Sequence, residues 1–337
     1  IYALGTPAPS RAAPGAVSVI RISGPRAADA LVFLTERKAF ERGRSARDPA
    51  LPAPRRMTVR TVIDPVSGDA IDQGLVVWFE APNTETGETM AELHLHGGRA
   101  VANGALAALA KLEFCRIAEP GEFTRRAFEN NKLGLTEAEA IADLVAAETD
   151  QQRRLALQQM KGALHRLYED WRTMGLRALA HLEAAIDFPD EDLPAGVDAE
   201  VTREITQLRD EIAAHLGDRR GERLRDGLHI AIIGPPNAGK SSLFNELVRR
   251  DAAIVSDVAG TTRDVIETML EIGGYPVLLA DTAGLRAMAG DAIEAIRLCK
   301  TLKPDVILLD NHLPGASGIQ SLPDIFHASP ESTVMML

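Results

Sequence analysis

Apolar positions along this chain change their spacing twice, and each change predicts a different kind of element. Up to about residue 118 the apolar runs are short and strand-like. AVSVIRIS (Ala16–Ser23) and GLVVWFEAP (Gly74–Pro82) are rich in β-branched and aromatic residues and are bounded by Gly or Pro. AELHLHGG (Ala91–Gly98) alternates with period two. Between Arg26 and Leu34, and again from Ala100 to Leu112, the spacing becomes helical. Strands interleaved with two helices predict an α+β domain over residues 1–118, with the polar, Pro-rich stretch Lys38–Arg56 as a surface loop.

From Thr136 the period lengthens. Leu157, Met160, Leu164, Leu167, Trp171 and Met174 recur at gaps of three and four, which predicts one amphipathic helix with a single apolar stripe. DFPDEDLPAG (Asp187–Gly196) breaks it, and Val201, Ile205, Leu208, Ile212 and Leu216 form a second stripe. Two long helices joined by a Pro/Asp linker predict an antiparallel pair within a helical domain over 119–225. A pair alone leaves apolar surface that further helices or a partner chain must cover.

From Leu228 the order is strand, glycine loop, helix, and then two strand-like runs flanking Gly273-Gly274, a hairpin signal. The 337 residues suffice for two or three domains, and 45% hydrophobic with 25% charged content is that of a globular chain. A net charge of -11 excludes a surface coated for bulk nucleic-acid binding, but a local basic patch could still hold RNA. Cys115 and Cys299, two isolated thiols, fit a reducing cytoplasm, and Cys115 is expected to be buried and inert. No apolar run approaches the roughly 20 residues of a spanning helix. The first residues lack a secretory pattern and begin at Ile1 rather than Met, as a trimmed chain or a fragment would. A cytoplasmic protein with no membrane association is expected.

GPPNAGKS (Gly234–Ser241) fits G-x-x-x-x-G-K-S between a strand and a helix. An anionic polyphosphate needs converging backbone N–H groups, and glycine lets the backbone come close. Lys240 would reach the β- and γ-phosphates, and Ser241 would give its hydroxyl to Mg2+. Further on, DVAGTTRD (Asp257–Asp264) offers Thr261 and Thr262 where a switch loop would sense the γ-phosphate. DTAGLR (Asp281–Arg286) ends a strand on an acid: Asp281 suits a Mg2+-bound water, and the Gly284 N–H suits the γ-phosphate. Three phosphate-facing motifs in this order predict nucleoside triphosphate binding.

Together GPPNAGKSSL, SDVAGTTRD and DTAGLR resemble the translation-factor-like GTPases. SVIRISG (Ser18–Gly24), APNTETGE (Ala81–Glu88), HGG (His96–Gly98), Pro120–Leu144 and AAIDFPDE (Ala184–Glu191) resemble the MnmE (TrmE) tRNA-modification GTPases. The resemblance covers Ile1 to about Arg286. It implies a multidomain α/β chain: an N-terminal α+β folate-binding domain, an α-helical middle domain, and a truncated P-loop GTPase α/β domain over 226–289. It further implies GTP hydrolysis in tRNA modification, where an aminomethyl-type group is built on C5 of the wobble uridine with an MnmG-type flavoprotein. The N-terminal domain would form a homodimer and bind a tetrahydrofolate derivative of 5-formyl or methylene type through Arg21, Glu92 and Lys132. A carboxylate accepts two hydrogen bonds from a pterin's amidine edge, and cations suit folate's acidic tail. Without the resemblance, each of the three is an ordinary surface charge.

The resemblance also implies the rest of the GTP/GDP site: Asn237, Ala238, Gly239, Lys240, Ser241 and Ser242; Ser256, Asp257, Val258, Ala259, Gly260, Thr261 and Thr262; and Asp281, Thr282, Ala283 and Gly284. Within it, Asn237, Ser256, Val258 and Thr261 would supply oxygens to K+, a cation that offsets charge developing between the β- and γ-phosphates. Thr262 would join Ser241 on Mg2+. On the residues alone, Asn237 is equally a loop residue tolerating an unusual backbone angle. Glu294 in DAIEA is the candidate to orient the attacking water; its spacing from Asp281 is one residue long, and a solvated helix glutamate is the plainer alternative. His94 and His96 lie two apart on one strand face, but no third donor is signalled, which favours a structural role over a metal site.

After Arg286 the pattern departs from the family. The only Asn-Lys pair is Asn131-Lys132, so no N-K-x-D motif is present to read guanine, and the terminal Cys-x-x-Gly-Lys tail does not occur. Residues 290–337 instead contain a stretch, Gly290–Ile325, resembling the middle of a response-regulator receiver domain, with Asp310 where such domains are phosphorylated. The acidic pair, Thr/Ser and Lys that phosphotransfer needs are missing, so the alternative is one more helix-strand-helix unit packed on the GTPase sheet. The expectation is a GTPase impaired in hydrolysis, base selectivity and tRNA modification. A dimeric folate- and nucleotide-binding scaffold without hydrolysis is the alternative, and a receiver-type signalling protein ranks last.

Overall fold

The computed structural model describes residues 1–10, 15–36, 51–187, 197–235, 238–250, 266–281, 292–313 and 316–337. They fall into two compact units, Ile1–Ala138 and Glu139–Leu337.

The first unit contains β1 (Tyr2–Leu4), β2 (Val17–Ser23), α1 (Ala27–Thr35), β3 (Thr58–Ile63), β4 (Ala70–Phe79), β5 (Met90–His96), α2 (Arg99–Ala110) and α3 (Glu122–Glu129). The strands form one antiparallel sheet in the order β1-β2-β5-β4-β3. Strand alternation gives it two faces. Ile20, Ile22, Leu93 and Leu95 point into the core, together with Leu31 and Leu34 of α1 and Leu109 of α2, while Arg21, Glu92 and His94 lie on the opposite face. α1 is apolar nearly all round and is buried from Ala27 to Leu34, as such a helix must be. Gly97 ends β5 where the chain passes Gly15: a Cβ there would stand 2.1 Å from the Gly15 carbonyl oxygen. The unit extends past residue 118 to take in α3, whose Arg126 donates to Glu88 at 2.8 Å.

α4 (Leu135–Ala146) crosses the boundary between the units. The second unit continues with α5 (Asp150–Met160), α6 (Ala163–Asp187), α7 (Val197–Gly217), α8 (Arg220–Asp226), β6 (Leu228–Ile233), α9 (Lys240–Arg250), β7 (Ile266–Ile272) and β8 (Tyr275–Asp281). It ends with α10 (Ala292–Leu302), β9 (Val306–Leu309), β10 (His312–Leu313), β11 (Ala316–Ser317), α11 (Gly318–Ala328) and β12 (Thr333–Met336).

The first apolar stripe is two helices rather than one. α5 opens with a capping box between Thr149 and Gln152 and closes before Gly162, whose φ of 76 and N–H bond to the Gln159 carbonyl end it in a left-handed cap. Periodicity runs through such a break because the helices on both sides keep the same spacing. α6 and α7 pack antiparallel. Trp171 Nε1 donates to Glu211 at 3.1 Å, and Arg177 to Glu204 at 3.1 Å, so rising numbers on one helix meet falling numbers on the other. Leu176, Leu179, Leu182 and Ile186 of α6 remain exposed.

The second sheet has the order β12-β9-β6-β8-β7. β7 and β8 form the antiparallel hairpin expected at Gly273 and Gly274, whose φ values of 61 and 89 suit a type I′ turn. The other pairings are parallel. This sheet runs on across residue 290. Cys299, Ile307, Leu309 and Ile325 share one core with Ala231 and Ile233 of β6, so α10, β9, α11 and β12 extend the same layered structure. Among the described residues no helix is long and apolar enough to cross a membrane.

Leu93 is fully buried at the centre of the first sheet. Leu93→Ala is expected to lower the unfolding free energy, measured by urea denaturation, by about 2–5 kcal/mol. A loss below about 1 kcal/mol would contradict its place in the core.

Candidate functional site

β6 is hydrogen-bonded on both edges: Ile230 stands opposite Leu279 of β8 and opposite Val306 of β9. Strand order reverses there, since the next strands in the chain lie to one side and the later ones to the other. In open α/β sheets, ligands bind beyond the C-terminal strand ends at such a reversal. The chain leaves β6 there at Gly234, passes the exposed Ala238 and Gly239, and enters α9 at Lys240. Gly239 has a φ of 84, and its carbonyl accepts the Leu243 N–H at 2.9 Å, so it opens the helix. First-turn N–H groups of a helix lack intrahelical partners and face an anion readily. Lys240 Nζ donates to the carbonyls of Gly234 (2.6 Å) and Pro235 (2.7 Å), folding the ammonium back over the loop. Ser241 lies in the first turn of α9, Ser242 beside it is exposed, and Asp281 ends the adjacent strand β8. Glu294 falls in the first turn of α10. Asn237, Ser256, Asp257, Val258, Ala259, Gly260, Thr261, Thr262, Thr282, Ala283 and Gly284 lie outside the described residues.

The first unit brings together a second set. Arg21 and Glu92 are register partners on β2 and β5, with Arg21 Nε 3.1 Å from Glu92 Oε1. His94 Nε2 engages the other carboxylate oxygen at 3.0 Å. Arg21 also donates to Glu85 at 3.0 Å. Glu85 sits in the loop of residues 80–89, and Lys132 lies along that loop: a Cβ on Gly87 would stand 3.3 Å from Lys132 Cε. Glu85 of the stretch APNTETGE thus belongs to this set, and only its pairing with Arg21 across the fold reveals it.

A polar network holds this loop. Ser23 Oγ lies 2.7 Å from Thr86 Oγ1, and Glu88 accepts from Ser23 and from Arg126, both at 2.8 Å. Asn130 donates to the Thr86 carbonyl at 2.8 Å. Glu122 accepts from Arg116 at 2.6 Å, from the Glu119 N–H at 2.9 Å and from Arg126 at 3.1 Å. The Arg116 guanidinium above all, helped by the Glu119 amide and Arg126, holds the Glu122 carboxyl down at about 2. His94 and His96 take separate carboxylates, the latter pairing with Asp72 at 2.8 Å. Cys115, expected to be buried, is only partly so; its partial burial raises its thiol, and burial pushes that of Cys299 up to about 11.

Residues 1–132 match the family model described as GTP-binding protein TrmE N-terminus, and residues 135–327 match the model described as MnmE helical domain. The chain is 53% identical over 326 residues to the tRNA modification GTPase MnmE of Parvibaculum lavamentivorans, which covers 95% of this chain and 70% of the relative. The chain belongs to the MnmE family. It is also similar to MnmE of Rhodospirillum rubrum, at 56% identity over 86% of this chain and 63% of the relative. A further relative is the mitochondrial 5-taurinomethyluridine-[tRNA] synthase subunit GTPB3 of Danio rerio, 52% identical over 82% of this chain and 53% of its own length. The chain thus spans less than two thirds of the last two relatives. The MnmE helical-domain match runs through residue 327 and so includes most of the receiver-like stretch.

Glu122 generates a pH prediction. Its folded value of about 2 lies below the ordinary 4.5, so the stabilisation it brings is complete above 4.5 and is lost as pH falls from 4.5 towards 2. Glu122→Gln is expected to reduce stability at neutral pH by about 1.5–3 kcal/mol and to flatten the acid-side decline in urea unfolding. Parallel pH curves for the two proteins would contradict this.

Proposed function

We propose that this chain binds and hydrolyses GTP in tRNA modification, serving a cytoplasmic homodimer that builds an aminomethyl-type group on C5 of the wobble uridine with a flavoprotein partner. The observation that carries this is the placement of Lys240 and its glycine loop at the order reversal of a doubly wound sheet, in a member of the MnmE family. Relatives named tRNA modification GTPases support the same assignment.

In this proposal the first-turn amides of α9 and the amides of Ala238 and Gly239 take the β- and γ-phosphates. Lys240 exchanges its two loop carbonyls for phosphate oxygens, a short swing for an ammonium already lying over the loop. Ser241 and Thr262 would hold Mg2+, and Asn237, Ser256, Val258 and Thr261 would hold K+; hydroxyl, amide and carbonyl oxygens are the donor type such hard cations take. When bound, these ions offset charge that builds on the phosphates. Asp257, Ala259, Gly260, Thr282, Ala283 and Gly284 would complete the loops that follow the γ-phosphate, and Glu294 would orient water. In the first unit, Glu92 would accept the amidine edge of a folate pterin while Arg21 and His94 fix its orientation, and Lys132 would meet the folate tail. The partly buried Glu92, with one partner on each oxygen, retains free acceptor capacity and fits this use.

GTP hydrolysis, followed as phosphate release with Mg2+ present, is expected to run faster in K+ than in Na+; equal rates would count against the ion site. Arg21→Ala is expected to weaken binding of 5-formyltetrahydrofolate by about tenfold or more, as loss of a charge-assisted hydrogen bond does, and to leave nucleotide affinity as it was. An unchanged folate affinity would contradict the assignment.

A further inference from the structure

Asp310 is the residue that the receiver-like pattern singles out and that nucleotide binding, as described above, leaves without a task. It follows directly on β9. In the parallel pairing of β9 with β6, Ile233 stands opposite Leu309, and the Asp310 N–H donates to the Ile233 carbonyl at 2.9 Å. This sets Asp310 against Gly234, the first residue of the phosphate loop. A Cβ built on Gly234 would stand 2.8 Å from the Asp310 Cβ and 3.4 Å from its Oδ2. Carbon atoms favour a separation of about 3.5–4.0 Å, so the first of these contacts is a clash with an atom one bond from the backbone, which no rotamer change relieves.

The backbone of Asp310 is closely packed as well: a Cβ at Gly318 would stand 2.6 Å from the Asp310 carbonyl oxygen, and the Gly318 N–H bonds the Asn311 carbonyl at 2.8 Å. Its Oδ1 accepts the His312 N–H at 2.9 Å, which fixes the side chain. Two residues without side chains thus pack close to the end of β9, Gly234 on the Asp310 side chain and Gly318 on its backbone. The Gly234 carbonyl is in turn an acceptor for Lys240 Nζ, so the place where Asp310 holds Gly234 is also where the ammonium rests.

We propose that Asp310 is a positioning residue of the phosphate loop: its Cβ, set against Gly234 while its carbonyl lies against Gly318, sets the path on which the chain leaves β6 and restricts position 234 to glycine. This inference rests on the nucleotide-binding role proposed above. It gives the aspartate a steric task in nucleotide binding in place of phosphoryl acceptance.

The test is a titration of mant-GDP with Mg2+ into the parent chain and into Lys240→Ala, Gly234→Ala, Asp310→Gly and the Gly234→Ala/Asp310→Gly double variant, with thermal unfolding of each. Gly234→Ala is expected to bind about tenfold more weakly or worse, and the double variant to recover most of that loss. A residue that only supports the fold would shift unfolding temperatures without restoring affinity. If Gly234→Ala alone does not fold, a folded and binding double variant carries the same support. A parent that does not bind, or a Lys240→Ala variant that binds like the parent, overturns the nucleotide role and this inference with it. A binding parent with no loss in Gly234→Ala, or with no recovery in the double variant, overturns the role of Asp310 alone.

Discussion

A strand hydrogen-bonded along both edges can release its chain only at its end, and β6 is such a strand. The glycine loop that follows starts from this end. Pairing with β8 and β9 fixes the height at which Gly234 emerges and sets Asp310, beyond β9, beside it. The Lys240 ammonium reaches back to the carbonyls of Gly234 and Pro235.

The first unit solves a different problem. Its sheet has one face sealed by α1 and α2 and one that carries Arg21, Glu92 and His94. Charges there are matched in short chains: His94 to Glu92 to Arg21 to Glu85, and separately Arg116 to Glu122 to Arg126 to Glu88. The second chain, with Thr86 and Ser23, locks the loop that supplies Glu85. Leaving a buried polar group unpaired costs about 1–3 kcal/mol, so a network of this density constrains the loop strongly.

Much of this was legible in local pattern. β-branched composition marked β2 and alternation marked β5, each to within a residue or two, and the Gly273-Gly274 pair marked its hairpin. G-x-x-x-x-G-K-S located the loop because the motif encodes backbone needs that only a strand-loop-helix meets. The stripe from Leu157 to Met174 misled because apolar spacing does not register the left-handed turn at Gly162. The receiver-like stretch shows the same gap: a helix, an apolar strand and an acid at its end suit many parallel sheets, and only the pairing of Ile307 with Ala231 decides which sheet β9 enters. Contacts across long separations, such as Gly234 with Asp310 or Arg21 with Glu85, leave no trace in either partner's neighbourhood.

The central claim is that the end of β6 forms a cradle for a triphosphate tail. Calorimetric titration of the chain with GTP, ATP and XTP in the presence of Mg2+ tests it most directly. The account predicts a measurable heat of binding for GTP; comparison with the other two then reports how far the base is read. Absence of binding heat from all three purine triphosphates would contradict it.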